Sequence, residues 1–281
     1  MKQILTALKA NAALVSEKLN EVFSKNDPDF AVLFDSMRYS AVETAGKRVR
    51  PFLTLEFSRA MGGTDEKALP LAMAIEMVHT YSLIHDDLPC MDDDDERRGM
   101  PSNHKVFGEA TALLAGDGLL TLAFSVIVSS SALSDSAKIK AVRLLADSAG
   151  VFGMIGGQQI DLLGEKQKLT EQQHKKMNLL KTGALIKAAA LMGCIAADAD
   201  ASAFDAASAY AENVGLAFQV KDDLLDIGEE DGKTTYLTFM SATDAEKLVA
   251  SLTENAVSAV SVIPNSELLI EAAEFLRDRA V

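Results

Sequence analysis

The sequence predicts an all-α fold, and three observations carry that prediction. Windows rich in Ala, Leu, Met, Glu and Lys run almost end to end, only six prolines and seventeen glycines interrupt 281 residues, and alternating Val/Ile/Thr runs are scarce. Taken in order, the helical windows cover residues 68–87, 110–131, 136–163, 171–197 and 203–226. The first follows the turn signal Gly62-Gly63-Thr64-Asp65 and ends ahead of Pro89, a residue that breaks the helical ladder. The longest uncharged run, residues 118–134, overlaps the second, includes Ser125, Ser129, Ser130 and Ser131, and falls short of the roughly 20 apolar residues of a membrane span. It reads as a buried helix. The first and last windows both end in twin aspartates, within LIHDDL at 83–88 and FQVKDDL at 218–224. Several windows are apolar on more than one face, which implies central helices of one large bundle. No linker composition divides the chain, so residues 1–281 read as a single domain.

Charge narrows the function classes. A net charge of −14 argues against a general nucleic-acid binder, which needs clustered Lys and Arg, and suits a protein that handles cations. Cys90 and Cys194 are far apart and show no metal-ligand spacing, so a reducing cytoplasm fits best. The first nineteen residues carry Lys9 and Glu17 where an export signal needs apolar residues.

Acidic residues concentrate at two places. In the second, Gln219, Asp222 or Asp223, and Asp226 recur at helical spacing on one face. Like charges about 4 Å apart repel by roughly 4 kcal/mol at an effective dielectric of 20, so something should compensate them. Neither Lys nor Arg occupies the four-residue offsets from Asp222 and Asp226, which leaves a bound cation or a solvated helix end. In the first cluster, Asp86 and Asp92 do not share a face of a continuous helix. Pro89 lets the chain turn so that Asp92 folds back toward Asp86 and Asp87. Carboxylates without His or Cys select Mg²⁺ or a similar hard cation, which keeps positions for water and substrate phosphate. A phosphorylated ligand is therefore expected. Arg97 stands where an EF-hand beginning at Asp92 would need glycine, which argues against calcium binding.

Arg97 and Arg98 either balance the acidic run or bind phosphate. The second reading gains from Gly46-Lys47-Arg48-Val49-Arg50-Pro51, which packs three cations between helix-breaking residues. Lys181-Thr182-Gly183 and Asp231-Gly232-Lys233-Thr234-Thr235 add Lys/hydroxyl pairs, and neither matches a P-loop. His79 is either a core histidine or a ligand contact. It lies two helical turns before Asp86, roughly 10 Å along the axis, on nearly the same face. Gln158 and Asp161 on a glycine-flanked helix read equally as packing or as support for the site.

Together these motifs resemble the trans-isoprenyl diphosphate synthases, the polyprenyl synthetase family, and most closely its bacterial farnesyl diphosphate synthase branch. The resemblance rests on GKRVRP at 46–51, IEMVHTYSLIHDDLPCMDDDDERRG at 75–99, NHKVFGEATALLAGD at 103–117, GMIGGQQIDL at 153–162, KTGAL at 181–185, FQVKDDLLD at 218–226 and GKTTY at 232–236. The resemblance implies an isoprenoid-synthase bundle around a central cavity, with the acidic motifs on opposite walls. It further implies that Asp86 and Asp92, assisted by Asp87, and Asp222, with Asp223 and Asp226, hold Mg²⁺ against an allylic diphosphate (dimethylallyl or geranyl). Arg97 and Lys181 would grip that diphosphate, and Lys47, Arg50, His79 and Arg98 that of isopentenyl diphosphate. Thr182 and Gln219 would line the reacting carbons. Ionisation, condensation and proton loss to pyrophosphate need no side-chain nucleophile. The family is usually homodimeric.

By the same resemblance, a bulky residue five positions before the first aspartate limits product length. Tyr81 occupies that position and implies a fifteen-carbon product, although Ser82 lies more squarely beneath Asp86 on a helical wheel. Relatives usually carry a longer loop with a further lysine where this chain has only IGEEDG at 227–232, so Lys233 would have to take over. A synthase of another chain length, such as a geranylgeranyl diphosphate synthase, and a weakly active or noncatalytic regulatory homologue are the alternatives. A terpene cyclase would not need the Lys47/Arg50/His79 group. The acidic stretch Asp93, Asp94, Asp95 and Glu96 has no assigned purpose.

Overall fold

A computed structural model describes residues 2–24, 27–44, 46–227 and 234–279. These fold into helices α1 (Lys2–Phe23), α2 (Ala31–Arg38), α3 (Val49–Ala60), α4 (Asp65–Asp86), α5 (Asn103–Phe107) and α6 (Glu109–Ser129). They continue through α7 (Asp135–Ala149), α8 (Met154–Gly164), α9 (Glu171–Asn178), α10 (Ala184–Ala196), α11 (Ala201–Leu225), α12 (Ala242–Val260) and α13 (Glu267–Asp278). The expected all-α class holds, and the strands among the described residues are β1 (Glu96–Arg97) and β2 (Met100–Pro101), one short antiparallel ribbon.

Helix α4 is the axis of the bundle, packed against α1, α3, α6, α7 and α10. Phe52, Leu53, Leu55 and Phe57 of α3 and Leu71, Ile75, Met77 and Ile84 of α4 are fully buried. Apolar residues on every face thus reflect a helix walled on all sides. A cross-helix hydrogen bond from Thr54 Oγ1 to the Ala189 carbonyl, 2.9 Å, ties α3 to α10. A smaller core around Val220, Tyr236 and Val249 joins α11 to α12.

Two expected helices differ. The window 136–163 is interrupted at Gly150-Val151-Phe152-Gly153, because Gly150 caps α7 and Gly153, at φ −125° and ψ −131°, starts α8. Glycine at both ends removes the side-chain preference that would carry the helix through. The uncharged run is not wholly buried either. Helix α6 buries a stripe of Ala112, Ala115, Leu119, Ala123 and Ile127, while Leu113, Leu114 and Val128 are exposed. By length and hydropathy alone, Glu109–Ser129 and Glu171–Ala196 could each cross a membrane, and 33% and 56% of their most apolar windows are buried. The window 171–197 is one continuous helix, with a π-helical turn, Leu179–Gly183, between α9 and α10.

Candidate active site

The first acidic wall forms where α4 ends. Beyond Asp87 the chain turns through Pro89, and the Asp92 N–H donates to the Asp86 carbonyl at 2.9 Å, which is the expected fold-back. Burial pushes the Asp86 carboxyl up to about 6, with Asp92 and Asp87 adding to the shift and Lys181 and Arg97 opposing it. Asp87 is 3% exposed and accepts from Arg97, whose Nε is 2.8 Å away and whose Nη2 also reaches it. Arg97 Nη2 further donates to Asp94 Oδ2 at 3.0 Å. Asp92 is exposed.

The second acidic wall is the C-terminal end of α11. Its compensating cation is one that the four-residue offsets could not reveal. Arg279, just past α13, pairs with Asp222, donates to the Phe218 carbonyl at 3.1 Å and lies 4.0 Å over the Phe218 ring. Burial still holds the Asp222 carboxyl above its usual range, with Arg279 pulling it back. Asp223 Oδ2 accepts the Tyr236 N–H at 2.6 Å, and Asp226 caps the helix.

The cations gather between these walls. Arg48 was expected to share a phosphate grip with Lys47 and Arg50, but the structure turns it into the core. Its backbone is left-handed, φ 50°, and its guanidinium meets Glu76 at 3.1 Å and the Ala41 carbonyl at 2.5 Å. Arg50 remains at the cavity, lowered to about 10 by burial, with no hydrogen-bond partner for Nε among the described residues. His79 faces Arg50 and Arg98, and burial plus their charge hold its imidazole neutral. Arg98 packs over Gly46 so closely that a Cβ there would meet the guanidinium carbon at 2.6 Å.

Lys181 occupies the π-helical turn, where Gly157 of α8 lets the backbones meet; a Cβ at Gly157 would be 2.2 Å from the Lys181 nitrogen. From there Lys181 Nζ reaches Asp161 Oδ2 at 2.5 Å. Asp161 therefore holds a cation of the cavity by a direct ion pair.

These groups surround a cavity of about 1180 Å³ lined by Lys47, Arg50, His79, Arg97, Arg98 and Lys181, by Thr182 and Gln219, and by Asp222, Asp223 and Asp226. A second cavity of about 360 Å³ adjoins it, sharing Arg50, His79, Leu83, Lys181 and Thr182. Tyr81, Ser82, Asp86, Met91, Met154 and Leu162 line this inner chamber. Tyr81 is 5% exposed, its ring meets His85 edge-on at 5.6 Å, and its hydroxyl has no hydrogen-bond partner among the described residues. Ser82 Oγ donates to the His79 carbonyl at 2.9 Å. Asp87 and Asp92 line neither cavity, and Lys233, with 228–232, lies outside the described residues.

Most of the charged groups lining the larger cavity were named from the sequence, while Arg279 and the contacts of Glu76 and Asp161 required the fold. The acidic side chains offer oxygen donors alone, and Asp86 is destabilised as an anion, so the donor set fits a hard cation such as Mg²⁺. Carboxylates, cations and an apolar chamber together can bind an amphiphile with an anionic head.

The comparisons agree with that chemistry. The chain is 39% identical to the geranylgeranyl diphosphate synthase of Cyanophora paradoxa, covering 98% of this chain and 96% of that protein. It is 41% identical to the farnesyl diphosphate synthase of Bacillus subtilis over 81% and 77% of the two chains. The apo crystal structure of an FPP/GFPP synthase from Zymomonas mobilis superposes with a TM-score of 0.90 at 34% identity, covering 97% of this chain and 99% of that one. Residues 31–248 match the polyprenyl synthetase family, and the chain is a member of that family of trans-prenyltransferases.

Proposed function

We propose that the chain, acting as one catalytic unit, condenses isopentenyl diphosphate with dimethylallyl and geranyl diphosphates to give mainly farnesyl diphosphate. The observation that carries this reading is the cationic cavity lined by Asp222, Asp223 and Asp226, which adjoins a chamber lined by Asp86 and Tyr81. Asp86, Asp92 and Asp222 would hold Mg²⁺, with Asp87, Asp223 and Asp226 around them. Bound Mg²⁺ would supply neutralisation of the leaving diphosphate. Lys181 and Arg97 bind the allylic diphosphate and stabilise its charge as the C–O bond breaks. Lys47, Arg50 and Arg98, with His79 as a neutral donor, bind the diphosphate of isopentenyl diphosphate beside it. Thr182 and Gln219 flank the reacting carbons, where the isopentenyl double bond attacks the allylic cation in register and away from water. The proton lost from the new chain passes to the departing pyrophosphate.

Tyr81 supports the fifteen-carbon length because its buried ring occupies the chamber wall. The extensive match to a geranylgeranyl diphosphate synthase supports a twenty-carbon alternative. The short segment 227–232 supports a weakly active or regulatory homologue, against which both acidic motifs and the cationic cradle are retained. A homodimer is favoured by Leu113, Leu114 and Val128, exposed on one long apolar helix, and a cytoplasmic location by two free cysteines. The test is incubation with Mg²⁺, isopentenyl diphosphate and each allylic diphosphate, followed by chain-length chromatography. Farnesyl diphosphate is expected. Mainly twenty-carbon product overturns the length assignment, and no condensation with any allylic partner overturns the enzyme reading.

A further inference from the structure

The acidic stretch 93–96 had no purpose in the sequence, and the fold brings part of it to a histidine. One ring nitrogen of His104 and one carboxylate oxygen from each of Asp93 and Asp95 lie within 4.8 Å of one another. Both carboxylates are exposed, whereas His104 is only 6% exposed. Its Nε2 is buried without a hydrogen-bond partner among the described residues.

The hydrogen bonds around the ring set its tautomer. Ser102 Oγ donates to the Asp94 carbonyl at 2.6 Å, which leaves the hydroxyl oxygen to accept from His104 Nδ1, 3.3 Å away. With the proton inferred on Nδ1, Nε2 carries a lone pair and meets no donor. An oriented imidazole whose other nitrogen is held by a hydroxyl is the usual preparation of a metal ligand. Asp95 Oδ1 is already 2.6 Å from Lys105 Nζ, but that contact is solvent-exposed and gives way at little cost.

We propose that Asp93, Asp95 and His104 form a divalent transition-metal site separate from the all-oxygen clusters at Asp86 and Asp222. A nitrogen and two oxygens suit Mn²⁺, Co²⁺ or Zn²⁺ better than Mg²⁺, because imidazole favours the borderline ions. The ligands flank the β1–β2 ribbon, which carries Arg97 and Arg98 to the cavity. An ion there fastens the two ends of that ribbon. The inference does not depend on the prenyltransferase reading, and its readouts do not use turnover.

The experiment is pulsed EPR of Mn²⁺ added to the full chain without substrate, in the parent and in D86N/D222N, D93N/D95N and H104Q. Imidazole ¹⁴N modulation is expected in the parent and in D86N/D222N, and its loss in D93N/D95N and in H104Q. D93N/D95N changes only exposed side chains, so it reports even where H104Q fails to fold. In a parallel melt, Mn²⁺ should raise the melting temperature of the parent more than that of D93N/D95N. Absence of ¹⁴N modulation in the parent overturns the site. Modulation that persists in D93N/D95N assigns the nitrogen to another histidine and overturns it equally, as does an equal Mn²⁺-induced rise in both melting temperatures.

Discussion

Substituting Glu76 by Gln should destabilise the protein without changing the shape of a side chain. Glu76 and Arg48 are 4% and 1% exposed and meet at 3.1 Å, and Glu76 also faces the guanidiniums of Arg50 and Arg98. Burial lowers the Arg48 guanidinium and Glu76 is the main force raising it again. The amide keeps the volume but leaves the buried Arg48 and the half-buried Arg50 without this counter-ion. Removing one partner of a buried pair costs roughly 3–5 kcal/mol, because the other charge stays desolvated. At about 2–4 °C per kcal/mol for large domains, the melting temperature should fall by about 6–20 °C. A thermal melt of the substrate-free protein, followed by circular dichroism, measures this. The double change Arg48→Met with Glu76→Leu should recover much of the loss, since apolar side chains carry no desolvation penalty. An E76Q melt within about 2 °C of the parent would refute the reasoning.

Three further outcomes follow from the site. Tyr81→Ala should lengthen the main product toward twenty carbons or more by opening the inner chamber; an unchanged product distribution in chromatography would remove Tyr81 from length control. Asp86 has an ordinary value of 3.8 and is raised to about 6 in the fold, so its contribution to stability is fully present below pH 3.8 and is lost as pH rises to about 6. That shift is worth on the order of 3 kcal/mol, and metal-free denaturation curves of Asp86→Asn should lack this part of the pH dependence. Arg279→Gln should lower the Mg²⁺ concentration for half-maximal turnover by about fivefold, the equivalent of the roughly 1 kcal/mol of a partly exposed pair. A higher Mg²⁺ requirement would instead assign Arg279 to substrate binding.

What the sequence disclosed and what it withheld have different physical reach. Asp86 and Asp92, on either side of Pro89, were legible because a proline changes the chain direction locally, and the Asp92-to-Asp86 backbone bond is local too. The helix 65–86 was legible because its apolar residues fill every face. Arg279 was not, because 57 positions separate it from Asp222 and no periodicity links them. Arg48 misled for a local reason: charge counting cannot see that a left-handed backbone turns one of three neighbouring cations toward Glu76. The break at 150–153 was hidden by a helical composition on both sides, where two glycines decided the outcome.

The same geometry explains how so many like charges coexist without substrate. Arg97 sits on Asp87 of its own segment, while Arg279 reaches Asp222 and Lys181 reaches Asp161 from other helices or termini, so these carboxylates are held by the protein's own cations. Desolvation remains the largest influence on Asp86, Asp87 and Asp222, which means the internal pairing is incomplete. Under the proposed function, hard cations and diphosphates relieve that deficit through an exchange of partners: carboxylates turn to metal, while Lys181 and Arg97 turn to phosphate. Of the pairs to be exchanged, Lys181–Asp161 is partly solvent-exposed and therefore weak, whereas Arg97–Asp87 has a buried carboxylate and is the costlier one to open. On that proposal, the acidic walls would be held by the protein's own cations in one state of the site and turned toward its ligands in the other.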